Sequence, residues 1–277
     1  MTKKLLLIFI FLFIAAGGYA EYKRIISLAP SVTRSLYELG LEENIKAVTI
    51  YCPEGTVKKE NIGTLLEPNI EKIISLKPDL IISTKEGNNK SAIEKMQRLG
   101  CKIYVMDTVS SFDEICANFQ NLANYVGKKE TAEKIISNVI KEINEITAKT
   151  KDKKPEKIFW EVGAKPLFTA GKKSFVNNYN KFLGTTNIFN DVDMRYPNVT
   201  MESVIIKNPD IILLVNMGDI TFEEMQRWKK IKTINAVKNN KIYMLDVNDI
   251  FTPTPLTFLK GVKIILKTVY RDSVYEK

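Results

Sequence analysis

Two stretches of the chain repeat each other at a fixed distance. NIEKIISLKPDLII runs from Asn69 to Ile82 and TMESVIIKNPDIIL from Thr200 to Leu213. Each has a small polar residue, a Glu two positions on, an apolar group, then Pro-Asp and an apolar run. Glu71 matches Glu202, Pro78 matches Pro209 and Asp79 matches Asp210, each pair 131 positions apart. Two further echoes keep the same order. RIISLA (Arg24 to Ala29) resembles KIFWEV (Lys157 to Val162) at 133, and KIYVMD (Lys102 to Asp107) matches KIYMLD (Lys241 to Asp246) at 139. A period this long, with three ordered echoes, predicts two lobes of one architecture.

Each copy has a physical reading. Ile70, Ile73 and Ile74 lie on one helical face, Asn69 is a good N-cap, and Glu71 falls in the first turn, where a negative charge suits the helix dipole. Pro78 ends the helix, and Leu80-Ile81-Ile82 has the continuous apolar character of a strand buried on both faces. In the second copy Thr200 is the N-cap, Met201, Val204 and Ile205 form the face, and Ile211 to Val215 the strand. Further strands are expected at Arg24 to Leu28, Lys46 to Ile50 and Ile103 to Met106. Helices are expected at Val32 to Leu39 and Ser91 to Leu99, each stopped by a glycine. This alternation predicts an α/β protein with parallel sheets and helices on both faces. Between the copies, Ile135, Val139, Ile143 and Ile146 mark one long amphipathic helix from about Lys129 to Lys149, roughly 30 Å at 1.5 Å per residue. The expected layout is therefore two Rossmann-like lobes joined by one backbone helix with a cleft between them. Its segments are 1–20, a leader; 21–127, the N-terminal lobe; 128–152, the linking helix; and 153–277, the C-terminal lobe.

The leader reads as a secretory signal. Lys3 and Lys4 precede the apolar run Leu5 to Ile14, and Gly18-Tyr19-Ala20 is a small-x-small cleavage site. The run is shorter than the roughly 20 residues of a membrane span. No Cys follows it, which argues against a lipoprotein. Cleavage after Ala20 and residence in the periplasm are expected. The formal charge of +9 falls to +7 once the two leader lysines are gone. The lysines are scattered, which describes a solvated basic surface rather than a nucleic-acid site.

The chain has no His and three Cys, at 52, 101 and 116. Three cysteines do not make a disulfide framework, although Cys101 and Cys116 leave one bridge open. Without His, the Ser-His and Cys-His catalytic arrangements are excluded, and the commonest metal ligand is missing. No G-x-G-x-x-G, phosphate-loop, G-x-S-x-G or Cys-x-x-Cys pattern is present. GAKPLFTAGKKS (Gly163 to Ser174) lacks the phosphate-loop spacing. An enzyme on a doubly wound fold is the competing class, and no catalytic residue can be nominated for it.

These motifs resemble the helical-backbone (class III) periplasmic substrate-binding proteins of ABC importers, the group serving cobalamin, ferric siderophores and haem. The resemblance rests on RIISLAPSVTRSLYELGL (Arg24 to Leu41), PNIEKIISLKPDLII, FTAGKKSFVNNYNKFLGTTNIF (Phe168 to Phe189), YPNVTMESVIIKNPDIIL and INAVKNNKIYMLD (Ile234 to Asp246). It implies no resident cofactor and a metal chelate as cargo, a corrinoid or ferric siderophore, with haem as the alternative. It implies a protein acting as a monomer that docks on the transmembrane permease through one acid per lobe, at the positions of Glu71 and Glu202. Cleft-facing candidates by the resemblance are Tyr51, Leu65, Thr84, Phe168, Tyr196, Asn248 and Thr252. Tyr51, Phe168 and Tyr196 can stack on a flat conjugated ligand. Arg34, Lys85, Lys172 and Arg195 can pair with anionic groups. Where cobalamin binders of the group have cleft tryptophans, this chain has Leu65, Thr84 and Tyr196. Arg34 replaces the acid usual in the first helix. Axial His ligation of haem is impossible, while Met or Tyr ligation stays open.

Overall fold

A computed structural model describes residues 21–216 and 222–270. The leader, with its cleavage site after Ala20, lies outside the described residues. In chain order the elements are β1 (Ile25–Ser27), α1 (Pro30–Glu38), β2 (Ile45–Val48), β3 (Glu60–Asn61), α2 (Ile70–Ser75), β4 (Leu80–Thr84), α3 (Lys90–Arg98), β5 (Ile103–Met106), α4 (Phe112–Tyr125) and α5 (Lys129–Thr150). There follow β6 (Lys157–Ala164), β7 (Leu167–Thr169), α6 (Asn177–Leu183), β8 (Thr186–Asn187), α7 (Met201–Lys207), β9 (Ile211–Asn216), α8 (Phe222–Lys229), α9 (Asn235–Lys238), β10 (Ile242–Asp246), α10 (Val247–Ile250) and α11 (Pro255–Val269).

The fold class is the expected one, two α/β lobes. The first sheet has the order β3-β2-β1-β4-β5 and is parallel throughout. The second has the order β10-β9-β6-β7, with β8 also on β6. Its strands are parallel except β7, which runs antiparallel to β6, an edge strand that the periodicity does not distinguish. Successive strand residues point to opposite faces, and both faces are covered. In the first lobe Ile25, Leu80 and Ile82 pack with α1 and α4, while Ile26 and Ile81 pack with α2 and α3. In the second, Ile158, Trp160 and Leu213 face α5, α6 and α11, while Phe159, Ile212 and Leu214 face α7, α8 and α9.

The sequence repeat is a repeat of hydrogen bonds. Ile25 pairs with Leu80, as Ile158 pairs with Ile211. Asn69 Oδ1 accepts from the Lys72 N–H (2.9 Å), and Thr200 Oγ1 accepts from the Ser203 N–H (3.2 Å). Lys77 and Asn208 both end their helices at φ 46°, in left-handed conformation just before Pro-Asp. The Asp79 carboxylate then accepts from the backbone N–H groups of Lys23 and Arg24, and Asp210 from that of Lys157 (3.0 Å). The basic side chain of that same strand start closes the loop. Arg24 donates to the carbonyls of Leu76 and Lys77, and Lys157 Nζ to the carbonyl of Lys207. The Pro-Asp pair thus pins the edge of the lobe's first strand to the helix that precedes its neighbour.

The helix α5 has the predicted span and does more than link. Ala132 belongs to the first lobe's core, and Val139, Ile143 and Ile146 to the second's. The start of α4 crosses over as well: Val109, Phe112 and Ile115 are buried in the second core. The Phe112 ring lies 4.8 Å from that of Phe258 and 5.6 Å from that of Phe182. Asn178, from the second lobe, accepts from the Phe112 N–H (3.2 Å) and donates to the Ser110 carbonyl (3.3 Å), serving the start of α4. The C-terminal helix α11, absent from the expected elements, packs on α4, α5 and α6 and completes this shared core. All three cysteines are free, so no Cys101–Cys116 bridge forms.

The pins give a stability prediction. Burial works against the charged form of Asp210, but the bonds from the Lys157 N–H and Asn235 and the charges of Lys157 and Lys154 outweigh it and hold the carboxyl below its usual range. Asp210→Ala should cost about 1–3 kcal/mol, the cost of stranded backbone donors, while the remote Asp152→Ala should stay within about 0.5 kcal/mol. The carboxylate's contribution is present above its unfolded pKa of about 4 and is lost as pH falls through the depressed folded value. Urea unfolding of wild type and Asp210→Asn at pH 7 and at stepwise lower pH checks this; a gap that widens in acid contradicts it.

Candidate functional site

The C-terminal strand ends of both lobes open onto one cleft, the place where open parallel sheets bind ligands. Ala29 to Ser31 follow β1, Thr84 to Gly87 follow β4, and Met106 to Val109 follow β5. Val162 and Phe168 come from β6 and β7, with Phe175, Tyr196, Phe251 and Pro253 from the loops beyond. Between them lies a cavity of about 520 Å³, within the size range of small-molecule sites.

Its second-lobe wall is aromatic. Phe251 stands 5.8 Å from Tyr196 and 6.0 Å from Phe175, centroid to centroid. Burial pushes the Tyr196 phenol up to about 12, against a bond to Ser174 that works the other way. Tyr196 is therefore a neutral phenol at physiological pH. The first-lobe wall is made of short loops tied by a residue that pattern reading missed. Asn88 accepts from the Thr84 N–H (2.8 Å) and donates to the carbonyls of Leu28 (3.0 Å) and Leu65 (3.3 Å). The Thr84 hydroxyl donates within its own loop, to the Glu86 carbonyl. Gly87, at φ +85°, brings this loop against Leu65.

Of the residues nominated from the sequence, the cavity brings together Leu65, Thr84, Phe168 and Tyr196. Tyr51 is 64% exposed on a first-lobe loop, away from the described lining. Thr252 is buried between the lining residues Phe251 and Pro253, with its carbonyl accepting from the Thr254 N–H. Asn248 borders a separate interlobe recess of about 320 Å³, with Arg34, Glu38 and Lys260. Lys172 is exposed on the loop after β7. Lys85 pairs with Asp107. Arg195 reaches across the cleft: Nη1 donates to Glu86 Oε2 (2.9 Å) and the Val109 carbonyl (3.0 Å), and Nη2 to Ser110 Oγ (3.2 Å). Reading the loop after each predicted strand end would have found Glu86, Met106 and Asp107. Phe175 and Phe251 carry no such marker.

Two buried carboxyls flank the cleft. Glu38 on α1 accepts from Thr254 Oγ1 (2.6 Å) at the start of α11, joining the lobes at a second point. Burial raises its pKa to about 7, against the Thr254 bond and the Arg34 charge. Glu161, on the far face of β6 from Val162, is fully buried and accepts from Trp228 Nε1. Burial raises it to about 8; the Trp228 bond opposes this and the Glu224 charge adds to it.

Glu71 and Glu202 lie in the first turns of α2 and α7, both exposed and, among the described residues, in no ion pair. The Glu202 carboxyl is held below its usual range by its own N–H and the Thr200 hydroxyl.

The chain matches the family described as "Periplasmic binding protein" over residues 25–248. It is 30% identical over 252 residues to the vitamin B12-binding protein of Vibrio cholerae serotype O1, covering 89% of this chain and 90% of that protein. Among solved structures, a possible iron-binding periplasmic solute-binding protein from Staphylococcus epidermidis superposes with a TM-score of 0.79 at 29% identity, over 90% of this chain and 99% of that one. The periplasmic vitamin B12-binding protein of Vibrio cholerae gives 0.76 at 28% identity, over 90% and 97%.

The raised carboxyls set a pH dependence. A carboxyl whose folded pKa lies above its unfolded value of about 4.3 costs stability as it ionises, so stability should fall as pH rises from about 4.3 through 7 for Glu38 and 8 for Glu161. Melting curves from pH 5 to 9 should show a decline that Glu38→Gln with Glu161→Gln flattens. A wild-type melting temperature that rises over this range rejects the assignment.

Proposed function

Because the chain belongs to the periplasmic binding protein family, we propose that it captures a metal chelate between its lobes and delivers it to the membrane permease of an ABC importer. The cargo is a corrinoid such as cobalamin or a ferric siderophore. The observation that carries this reading is the interlobe cavity itself, walled by both lobes and with an aromatic face of Phe175, Tyr196 and Phe251. Such a face suits the flat, conjugated or apolar surface of a chelate. A chelate brings its own metal ligands, so this reading asks for no group of Cys, Asp or Glu to hold the metal. The similarity to vitamin B12-binding and possible iron-binding proteins supports this cargo class.

Docking falls to Glu71 and Glu202. The other repeated polar positions serve the backbone, as caps, left-handed helix ends and carboxylate pins. The two glutamates have their place in the first helical turn, worth a few tenths of a kcal/mol at an exposed site, and Glu202 adds bonds only within its own helix start, to its own N–H and the Thr200 hydroxyl. They occupy equivalent points of the two lobes, matching a permease with two equivalent halves. Ile206, one turn beyond Glu202, is 82% exposed and extends the same helix face as an apolar contact. The leader of residues 1–20 delivers the protein to the periplasm and is removed after Ala20.

Two outcomes check this. Glu71→Ala with Glu202→Ala should abolish chelate-dependent growth or uptake and leave the affinity of the purified protein for cyanocobalamin or ferric siderophores within about twofold; a parallel loss of affinity moves these acids into the binding site. Phe168→Ala, which removes an aromatic contact worth about 0.5–1.5 kcal/mol, should weaken binding roughly threefold to tenfold by calorimetry. Unchanged affinity places the ligand elsewhere.

A further inference from the structure

The charges around the cavity are arranged unequally, and the inequality bears on which chelates it accepts. Two side chains of the described lining are charged at neutral pH, Glu86 and Asp107, and both are acids. The two cations nearest to them are already engaged. Lys85 is in an ion pair with Asp107. Arg195 is in an ion pair with Glu86 and gives two more of its five N–H donors to the Val109 carbonyl and Ser110. The rest of the wall is apolar or carries hydroxyls and amides bonded within the loops, such as Thr84 to the Glu86 carbonyl and Asn118 to the Asp107 carbonyl (2.6 Å). An anionic group entering this space meets two carboxylates and, among the described lining residues, no cationic side chain; the donors in reach include the Ser31 hydroxyl and the start of α1, which carries no side-chain cap. It loses its water without gaining a counter-charge, which is the costly case for a buried ion.

From this arrangement we infer that the cavity selects chelates of neutral or positive net charge and rejects polyanionic ones, with Glu86 and Asp107 as the selecting residues. They act in two ways. Their own charge repels anions, and by holding Arg195 and Lys85 they withhold the cations an anionic chelate would need. The favoured class is the neutral or cationic corrinoid and the ferric hydroxamate. The disfavoured class is the ferric tricatecholate and the porphyrin dicarboxylate. The basic surface of the whole chain does not reverse this. Its scattered lysines are screened beyond about 8 Å at physiological salt, whereas a bound ligand touches the cavity acids directly. The inference rests on the chelate-capture reading above.

The test uses the mature protein and four probes: cyanocobalamin and ferrioxamine B from the favoured class, ferric enterobactin and haemin from the other. At physiological salt at least one neutral or cationic probe should bind tenfold or more tightly than either anionic probe. Raising salt from 150 to 500 mM should improve the weak binding of the anionic probes, since repulsion is screened; an attractive site gives the opposite slope. Glu86→Gln with Asp107→Asn should shift the anionic-to-neutral affinity ratio by tenfold or more towards the anions. Tight binding of ferric enterobactin or haemin to wild type, weakened by salt, overturns the charge selection while leaving chelate capture standing. Binding of none of the four, by a protein whose melting curve is cooperative, overturns chelate capture itself. The salt slope is read on wild type and decides the matter even where the double variant does not fold.

Discussion

The cavity exists because the two lobes cannot drift apart. Val109, Phe112 and Ile115 are first-lobe residues by position, yet they are buried in the second lobe's core. The helix α5 repeats the arrangement along its length, with Ala132 in one core and Val139, Ile143 and Ile146 in the other. Opening the cleft widely would pull Phe112 from between Phe182 and Phe258 and expose a ring whose burial is worth about 1.5–3 kcal/mol. The polar ties on the cleft side, Arg195 to Glu86 and Thr254 to Glu38, are fewer and partly wet. Packing of this kind resists wide opening and favours small rotations about the α4–α5–α11 edge, which would leave the loops at the strand ends close to their present arrangement. Preformed walls limit the ordering cost of binding.

The repeat separates folding residues from functional ones without any alignment. Two lobes of one design must solve the same backbone problem twice, and Asp79 and Asp210 solve it by the same bonds. The matching is close enough that Arg24 and Lys157, 133 positions apart, donate to helix-end carbonyls at Leu76 and Lys207, 131 apart. Against that background Glu71 and Glu202 stand out because they tie no two elements together, and a pair of equivalent exposed carboxylates is what a two-halved partner can read.

Much of this was legible in the sequence. The continuous apolar runs at Leu80 and Ile211 are strands buried on both faces, and the spacing of Ile135, Val139, Ile143 and Ile146 placed α5 to within a residue. The helix α11 has no counterpart among the repeated motifs, but its period is written in the sequence. Lys260, Lys263 and Lys267 fall on one exposed face, and Phe258, Val262, Ile265, Leu266 and Val269 are buried towards α4, α5 and α6. Gly261, ordinarily a mark against a helix, is there because a Cβ at that point would fall 2.6 Å from Tyr179 Oη. The site was legible only in part. Leu65, Thr84, Phe168 and Tyr196 line the cavity together and were indicated by the family resemblance; of these, Thr84 also sits beside a predicted strand end. Phe175 and Phe251 reach the cavity through loops whose course depends on tertiary packing, and Asn88 joins three loops that are far apart in sequence.

Arg195 shows how residue type alone misleads. A cation near a ligand cleft reads as an anion receptor, because guanidinium matches carboxylate geometry. Here the carboxylate is supplied by the protein: Glu86 lies 109 positions earlier, and the carbonyl of Val109 and the hydroxyl of Ser110 take two more of the five N–H donors. A guanidinium already paired with Glu86 offers an anionic ligand less than a free one would. A chelate that makes no demand on Arg195 leaves this tie intact on entry, and one that needs a cation competes with Glu86 for it. The tie that sets the width of the cleft is thus also a filter on the charge of what can occupy it.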